Sequence, residues 1–160
     1  MTEVRPARPE ELVLLPSLEV AADTVFGSMD IGPLPPPGTV EELTAALVIL
    51  VIGDPPQGFA RIDALGGGAH LEQLAVHPEH GRQGLGRSLV RAACQWARQE
   101  DFPGITLITY RHVPWNGPFF ATEGFVELGP ADPWLIAHQQ PPEEPVMGRF
   151  GERVAMGRRW

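Results

Sequence analysis

The chain reads as an α/β protein of the α+β kind, built on a mixed central sheet, and three observations predict it. A continuous apolar run, LVILVI over residues 47–52, is followed by the turn GDPPQG and the strand-like GFARIDAL, which together make a hairpin. A third strand, HLEQLAV over 70–76, runs into a glycine-rich turn that opens an amphipathic helix over about 84–99. That helix is long enough to cross over to a parallel strand, GITLITY over 104–110, which is rich in β-branched residues.

The remaining elements follow in chain order. Residues 3–8 suit a short first strand, after which Glu10, Glu11, Leu12, Leu15, Leu18 and Ala22 recur at helical spacing up to about Phe26. GSMDIGPLPPPG, over 27–38, is too rich in Gly and Pro for either regular element and reads as a connection. Thr39, with Glu42 three residues on, can cap a second short helix. On the third strand, strict alternation places His70, Glu72, Leu74 and Val76 on one face and Leu71, Gln73 and Ala75 on the other. The 84–99 helix is expected to bury Leu85, Leu89, Ala92 or Ala93 and Trp96, with Arg87, Arg91, Gln95 and Arg98 on its wet face. WNGPFFATEGF predicts a short helix from Asn116 to about Glu123, ended by Gly124, and then a strand from Phe125. Residues 132–145 are ambiguous, and ERVAMGRR reads as a last strand. The apolar tail around Val146 to Met156 and the terminal Trp160 suits either a homodimer contact or a cover for the chain's own sheet.

At 160 residues the chain fits one domain, 1–160. A formal charge of -8 argues against nucleic acid as a main partner, because neutralising phosphates needs clustered cations. Such acidity suits a cationic or amine substrate and equally serves solubility. No apolar stretch is long enough to cross a bilayer, and the charged start MTEVRPARPEE lacks a signal-peptide core, so no membrane role and a cytoplasmic setting are expected. Cys94 is the only cysteine, which excludes an internal disulfide and a multi-cysteine metal site, and no metal is expected.

The chemistry concentrates in LAVHPEHGRQGLGRSL, residues 74–89. Gly81, Gly84 and Gly86 let backbone amides face inward beside a positive helix N-terminus, the makings of a phosphate cradle. A dinucleotide loop is excluded because Leu89 stands where its third glycine belongs. A nucleotide-triphosphate loop is disfavoured because Arg87 stands where its lysine belongs, and ITLITY offers no carboxylate for Mg²⁺.

Gln83, Gly84, Leu85 and Gly86, after the strand exit Val76, His77, Pro78, resemble the Q/R-x-x-G-x-G/A signature of the GNAT superfamily of acetyl-CoA-dependent N-acetyltransferases. WNGPFFATEGF is similar to that family's second segment, and the resemblance covers residues 69–128 best. It implies a mostly antiparallel sheet with one splayed parallel strand pair, flanked by about four helices. It also implies acetyl-CoA as donor, its arm along Leu74, Ala75 and Val76, where an amide beside the thioester would serve as oxyanion donor. The pyrophosphate would then lie over Arg82, Gln83, Gly84, Leu85, Gly86, Arg87 and Ser88. Asn116, Phe119 and Phe120 would flank the arm. Two departures accompany the match: Gly81 replaces the leading Q/R, and Phe120 replaces the tyrosine that the family proposes as general acid. A phenyl ring donates no proton, leaving water or Tyr110, the only tyrosine, for that step.

Acetyl transfer needs a neutral amine, and a free alkylamine has a pKa of roughly 10. Glu72 is the candidate base, with His70 beside it, in HLEQLAVH, which resembles the H-L-H-x-L-A-V-H of arylalkylamine N-acetyltransferases. Both residues are equally explained as polar groups at a strand end. The acceptor is then a small amine, an amino sugar, or a peptide or protein amine. An acetyl-CoA-binding sensor or interaction module without turnover is the alternative, favoured by Phe120 in the tyrosine's place.

Overall fold

A computed structural model describes residues 3–24, 37–81, 83–129, 132–133 and 153–160. Its strands are β1 (Val4–Pro6), β2 (Val48–Ile52), β3 (Gly58–Leu65), β4 (Gly68–Val76), β5 (Gly104–Tyr110), β6 (Val126–Glu127) and β7 (Arg153–Arg159). Its helices are α1 (Leu15–Asp23), α2 (Val40–Ala45), α3 (Leu85–Gln99) and α4 (Gly117–Thr122). The strands form one sheet in the order β1-β2-β3-β4-β5-β7-β6. Every neighbouring pair is antiparallel except β4 and β5, so the expected mixed sheet with a single parallel pair is present.

Local chemistry explains most boundaries. Thr39 Oγ1 accepts the Glu42 amide at 3.2 Å while Glu42 Oε1 accepts the Thr39 amide at 3.2 Å, the reciprocal box that starts α2. The first predicted helix is not continuous: a 3₁₀ turn over Pro9–Leu14 precedes α1. Pro16 is the reason, since it lacks an amide hydrogen and is tolerated only in a helix's first turn, so the α-helix begins beside it. The predicted end of that helix, at 25–26, and positions 27–36 of the connection lie outside the described residues. In α3 the buried stripe is Leu89, Val90, Ala93, Cys94 and Ala97, rotated from the expected one. Trp96 stays half-buried and stacks on Phe102 with ring centroids 6.0 Å apart.

The sheet separates two cores. On the α3 side lie Leu50 and Ile52 of β2, Ala60 and Ile62 of β3, Ile105 and Leu107 of β5, Phe120 and Phe125, and Val154 and Met156 of β7. On the other side Ile49, Val51 and Phe59 pack under Leu15 and Leu18 of α1 and Leu43 of α2. The predicted last strand is β7, filling the gap between β5 and β6. Of the apolar tail, Val154 and Met156 therefore cover the chain's own sheet, and the Trp160 indole donates to the Phe102 carbonyl at 2.8 Å. No described helix is long and apolar enough to cross a membrane.

The strict alternation expected along β4 fails. Ile62 is opposite Leu71 and Arg61 is opposite Gln73, so Glu72 is an extra residue, a β-bulge. Ala69 and Leu71 face the α3-side core before the bulge, whereas Leu74 and Val76 face it afterwards and Ala75 turns to the α1 side. His70 and Glu72 therefore do not share a face with Leu74 and Val76. One inserted residue moves every side chain beyond it to the opposite face.

Candidate active site

The parallel strands share only three register pairs, Ala69–Leu71 of β4 with Ile105–Leu107 of β5. Beyond them Gln73–Val76 register with β3 and Ile108–Tyr110 with β7, so the sheet opens into a notch between β4 and β5. The bulge lies where the strands part, and bulges bend a strand and increase its twist.

Side chains hold the bulge from the α1 face. Asp63 grips the Arg61 guanidinium through two hydrogen bonds of 2.9 and 2.7 Å, and Arg61 Nη1 donates to Gln73 Oε1 at 3.5 Å. Gln73 Nε2 donates to Glu19 of α1, whose second oxygen accepts the Gly38 amide at 3.0 Å. Burial pushes the Glu19 carboxyl up, against the pull of the Gly38 hydrogen bond, and burial also raises that of Asp23.

His70 and Glu72 meet at the branch point. His70 is buried, with Nδ1 2.9 Å from Thr106 Oγ1 on β5 and Nε2 3.5 Å from Glu72 Oε2. The Glu72 side chain is 46% exposed. A fixed imidazole thus stands behind a solvent-reached carboxylate, an arrangement that can take a proton and pass it to water.

At the far end of the notch the chain enters the glycine loop. Gly84 caps α3 with φ +77°, a left-handed conformation that glycine adopts readily, and the Ser88 amide bonds its carbonyl at 3.0 Å. A Cβ on Gly84 would meet nothing within 4 Å, so conformation rather than space selects glycine there. The first-turn amides of Leu85, Gly86 and Arg87 precede the helix's hydrogen-bond ladder and are anion donors at the positive end of a 15-residue helix. Gln83, Arg87 and Ser88 are exposed; Arg82 lies outside the described residues. His77, an unassigned histidine of the loop, has a turn role, its Nδ1 accepting the Glu79 amide at 3.2 Å.

α4 closes the other side. A Cβ on Gly117 would lie 2.8 Å from the Arg111 carbonyl, so glycine lets α4 abut the end of β5. Asn116 Oδ1 accepts from Thr109 Oγ1 at 2.7 Å, which ties the helix start to that strand. Phe119 is half-buried, whereas Phe120 is buried in the α3-side core with its centroid 5.7 Å from that of Phe125. Tyr110 is also buried, and burial pushes its phenol up against the opposing charge of Arg153.

Thr106, Thr109 and Glu123 escaped the sequence reading. Each is polar within an apolar strand or a short helix end, and the partners of Thr106 and Glu123, His70 and Arg91, are distant along the chain. The signal was their burial, at 4%, 5% and 8% exposure, which periodicity does not report for polar residues. Among the described residues no group of three or more His, Cys, Asp or Glu side chains could hold a metal ion.

Residues 34–125 match the model of the acetyltransferase (GNAT) family, more than half of the chain. The chain belongs to the GNAT family. It is an acyltransferase whose acyl donor is acetyl-CoA. Solved structures agree in fold. The PaiA N-acetyltransferase from Thermoplasma acidophilum, in complex with coenzyme A, is 14% identical with a TM-score of 0.71, covering 100% of this chain and 99% of that one. A GNAT-family acetyltransferase from Staphylococcus aureus is 12% identical with a TM-score of 0.71, covering 99% of each chain. An acetyltransferase from Thermus thermophilus is 20% identical with a TM-score of 0.63, covering 100% of this chain and 97% of that one. Across chains this different in sequence, what is shared is the fold.

Proposed function

We propose that this GNAT chain acetylates a primary amine by direct attack on the thioester, with Glu72 as general base and His70 as its positioning partner. The observation that carries the reading is the parting of β4 and β5 at Glu72, because a solvent-reached carboxylate then stands where the sheet opens. An extended pantetheine arm suits that opening as a substitute strand, hydrogen-bonding the exposed edge of Gln73–Val76. Leu74, Ala75 and Val76 would supply the backbone groups, one amide polarising the thioester carbonyl. The α3 first turn with Gly84, Gly86 and Ser88 would take the pyrophosphate. Asn116 accepts from Thr109 with its oxygen, which leaves its Nδ2 as donor toward the arm.

In the reaction the amine nitrogen bonds to the carbonyl carbon, the carbon–sulfur bond breaks, and coenzyme A leaves as thiolate. The proton shed by nitrogen passes to Glu72, directly or through water. The thiolate takes its proton from water, because Phe120 has none to give and burial makes Tyr110 a weaker acid. Small amines, amino sugars and peptide or protein amines are all acceptors of the right chemistry.

A thiol-release assay over a panel of such amines tests the proposal. Glu72→Gln should lower turnover by at least about tenfold with coenzyme binding nearly intact, since it removes the base and keeps the shape. Turnover unchanged across the pH range would place the base elsewhere. Binding heat with acetyl-CoA and no thiol from any amine would instead favour the sensor reading.

A further inference from the structure

Glu123 follows α4 and is 8% exposed, yet it faces two guanidiniums rather than one. Arg91 Nε lies 2.9 Å from Glu123 Oε1 and Arg87 Nε lies 3.6 Å from Oε2. Both arginines project from α3, four residues apart and so on one helix face. A single carboxylate cannot neutralise two guanidiniums, so this cluster carries a surplus positive charge on a chain whose formal charge is -8. The two contacts differ in kind. Arg91 makes the short, charge-assisted bond and satisfies the buried carboxylate, whereas Arg87 is beyond hydrogen-bond length and stands in the first turn of α3, where phosphate is expected.

We propose that Glu123 is a positioning residue that holds Arg87 in reserve, and that Arg87 leaves it for a phosphate of coenzyme A while Arg91 keeps Glu123 neutralised. This rests on the assignment of the α3 first turn to the coenzyme pyrophosphate. The exchange would join the two elements proposed to flank the donor: when phosphate takes Arg87, Arg91 is left as the ion-pair partner between α3 and Glu123 at the end of α4. Arg87 suits the task because its side chain is 51% exposed and a guanidinium matches phosphate geometry as well as carboxylate geometry. Arg91 is the complement, since its departure would strand a buried charge.

The sign of the effect separates this from a static brace. Calorimetric titration with coenzyme A, and with phosphate-free pantetheine as control, reads it out. Glu123→Gln should tighten coenzyme A binding by about two- to fivefold, the scale of one exposed ion pair released, and leave pantetheine unchanged. Arg87→Gln should weaken coenzyme A and not pantetheine. Arg91→Gln should weaken coenzyme A by about tenfold, because Arg87 must then stay with Glu123, and the loss should vanish in the E123Q background. Arg91 is exposed, so R91Q tests the idea even if E123Q fails to fold, which a thermal melt would reveal. Tighter coenzyme A binding by R91Q would overturn the exchange, as would weaker binding by E123Q or an equal R91Q loss in both backgrounds. Should the unaltered chain bind pantetheine and coenzyme A equally, the phosphate assignment itself fails and the proposal with it.

Discussion

The two faces of the sheet are built from different materials. The α3 face is a continuous apolar core that runs from β2 to β7 and includes the buried stripe of α3 and Phe120. The α1–α2 face has a smaller core beside a polar chain, Asp63 to Arg61 to Gln73 to Glu19 to Gly38. Apolar packing holds the glycine loop and α4 in place without regard to direction, as suits the side proposed to grip the same donor in every cycle. Hydrogen bonds, by contrast, specify geometry, and they hold the bulge and the helix that border the proposed acceptor mouth.

The largest effect should come from emptying the first core. Leu89→Ala, at a fully buried site directly behind the glycine loop, should cost about 2–5 kcal/mol in chemical denaturation and weaken acetyl-CoA binding. Leu18→Ala, on the other face, should spare coenzyme affinity; equal losses from both would dissolve the contrast. Next, tempered by the solvent that reaches Arg5, is an acid dependence located on the α1 side. The Arg5 guanidinium, bidentate to Glu11 at 2.7 and 2.8 Å, holds that carboxyl at about 2 rather than its ordinary 4.5. A carboxyl lowered by folding stabilises above its unfolded value and loses that contribution as pH falls from about 4.5 through about 2. Melting curves of Glu11→Gln should lack that part of the slope.

Gln73→Leu removes the amide that links Arg61 to Glu19, leaving polar partners behind, and should cost about 1–3 kcal/mol. Its kinetic signature is a raised KM for the amine with coenzyme affinity unchanged; the reverse pattern would assign the polar chain to the donor. The smallest change is Gly84→Ala, where a left-handed φ without any steric clash predicts a loss of about 1–2 kcal/mol in thermal stability.

Legibility in the sequence follows the same division. The β2–β3 hairpin, the α2 capping box, the α3 helix and its wet arginines are all patterns within a few residues, and each forms where expected. The glycine loop was legible for the same reason. The bulge was not, because HLEQLAV alternates well enough as a regular strand, and only the register against β3 and the anchor of Gln73 on α1 insert the extra residue. The pairing of Glu123 with Arg87 and Arg91 spans more than thirty residues and has no local signature.

Local pattern was therefore enough for the class of fold, the order of its elements and the family that the loop and the WNGPFF segment resemble. Those signals depend on backbone propensity and short-range spacing, which any window of sequence carries. Which face Glu72 and His70 occupy, what holds them there and which arginine stands ready at the helix start depended on three-dimensional packing. Such choices are made by partners distant along the chain, and a single inserted residue in a strand reverses them.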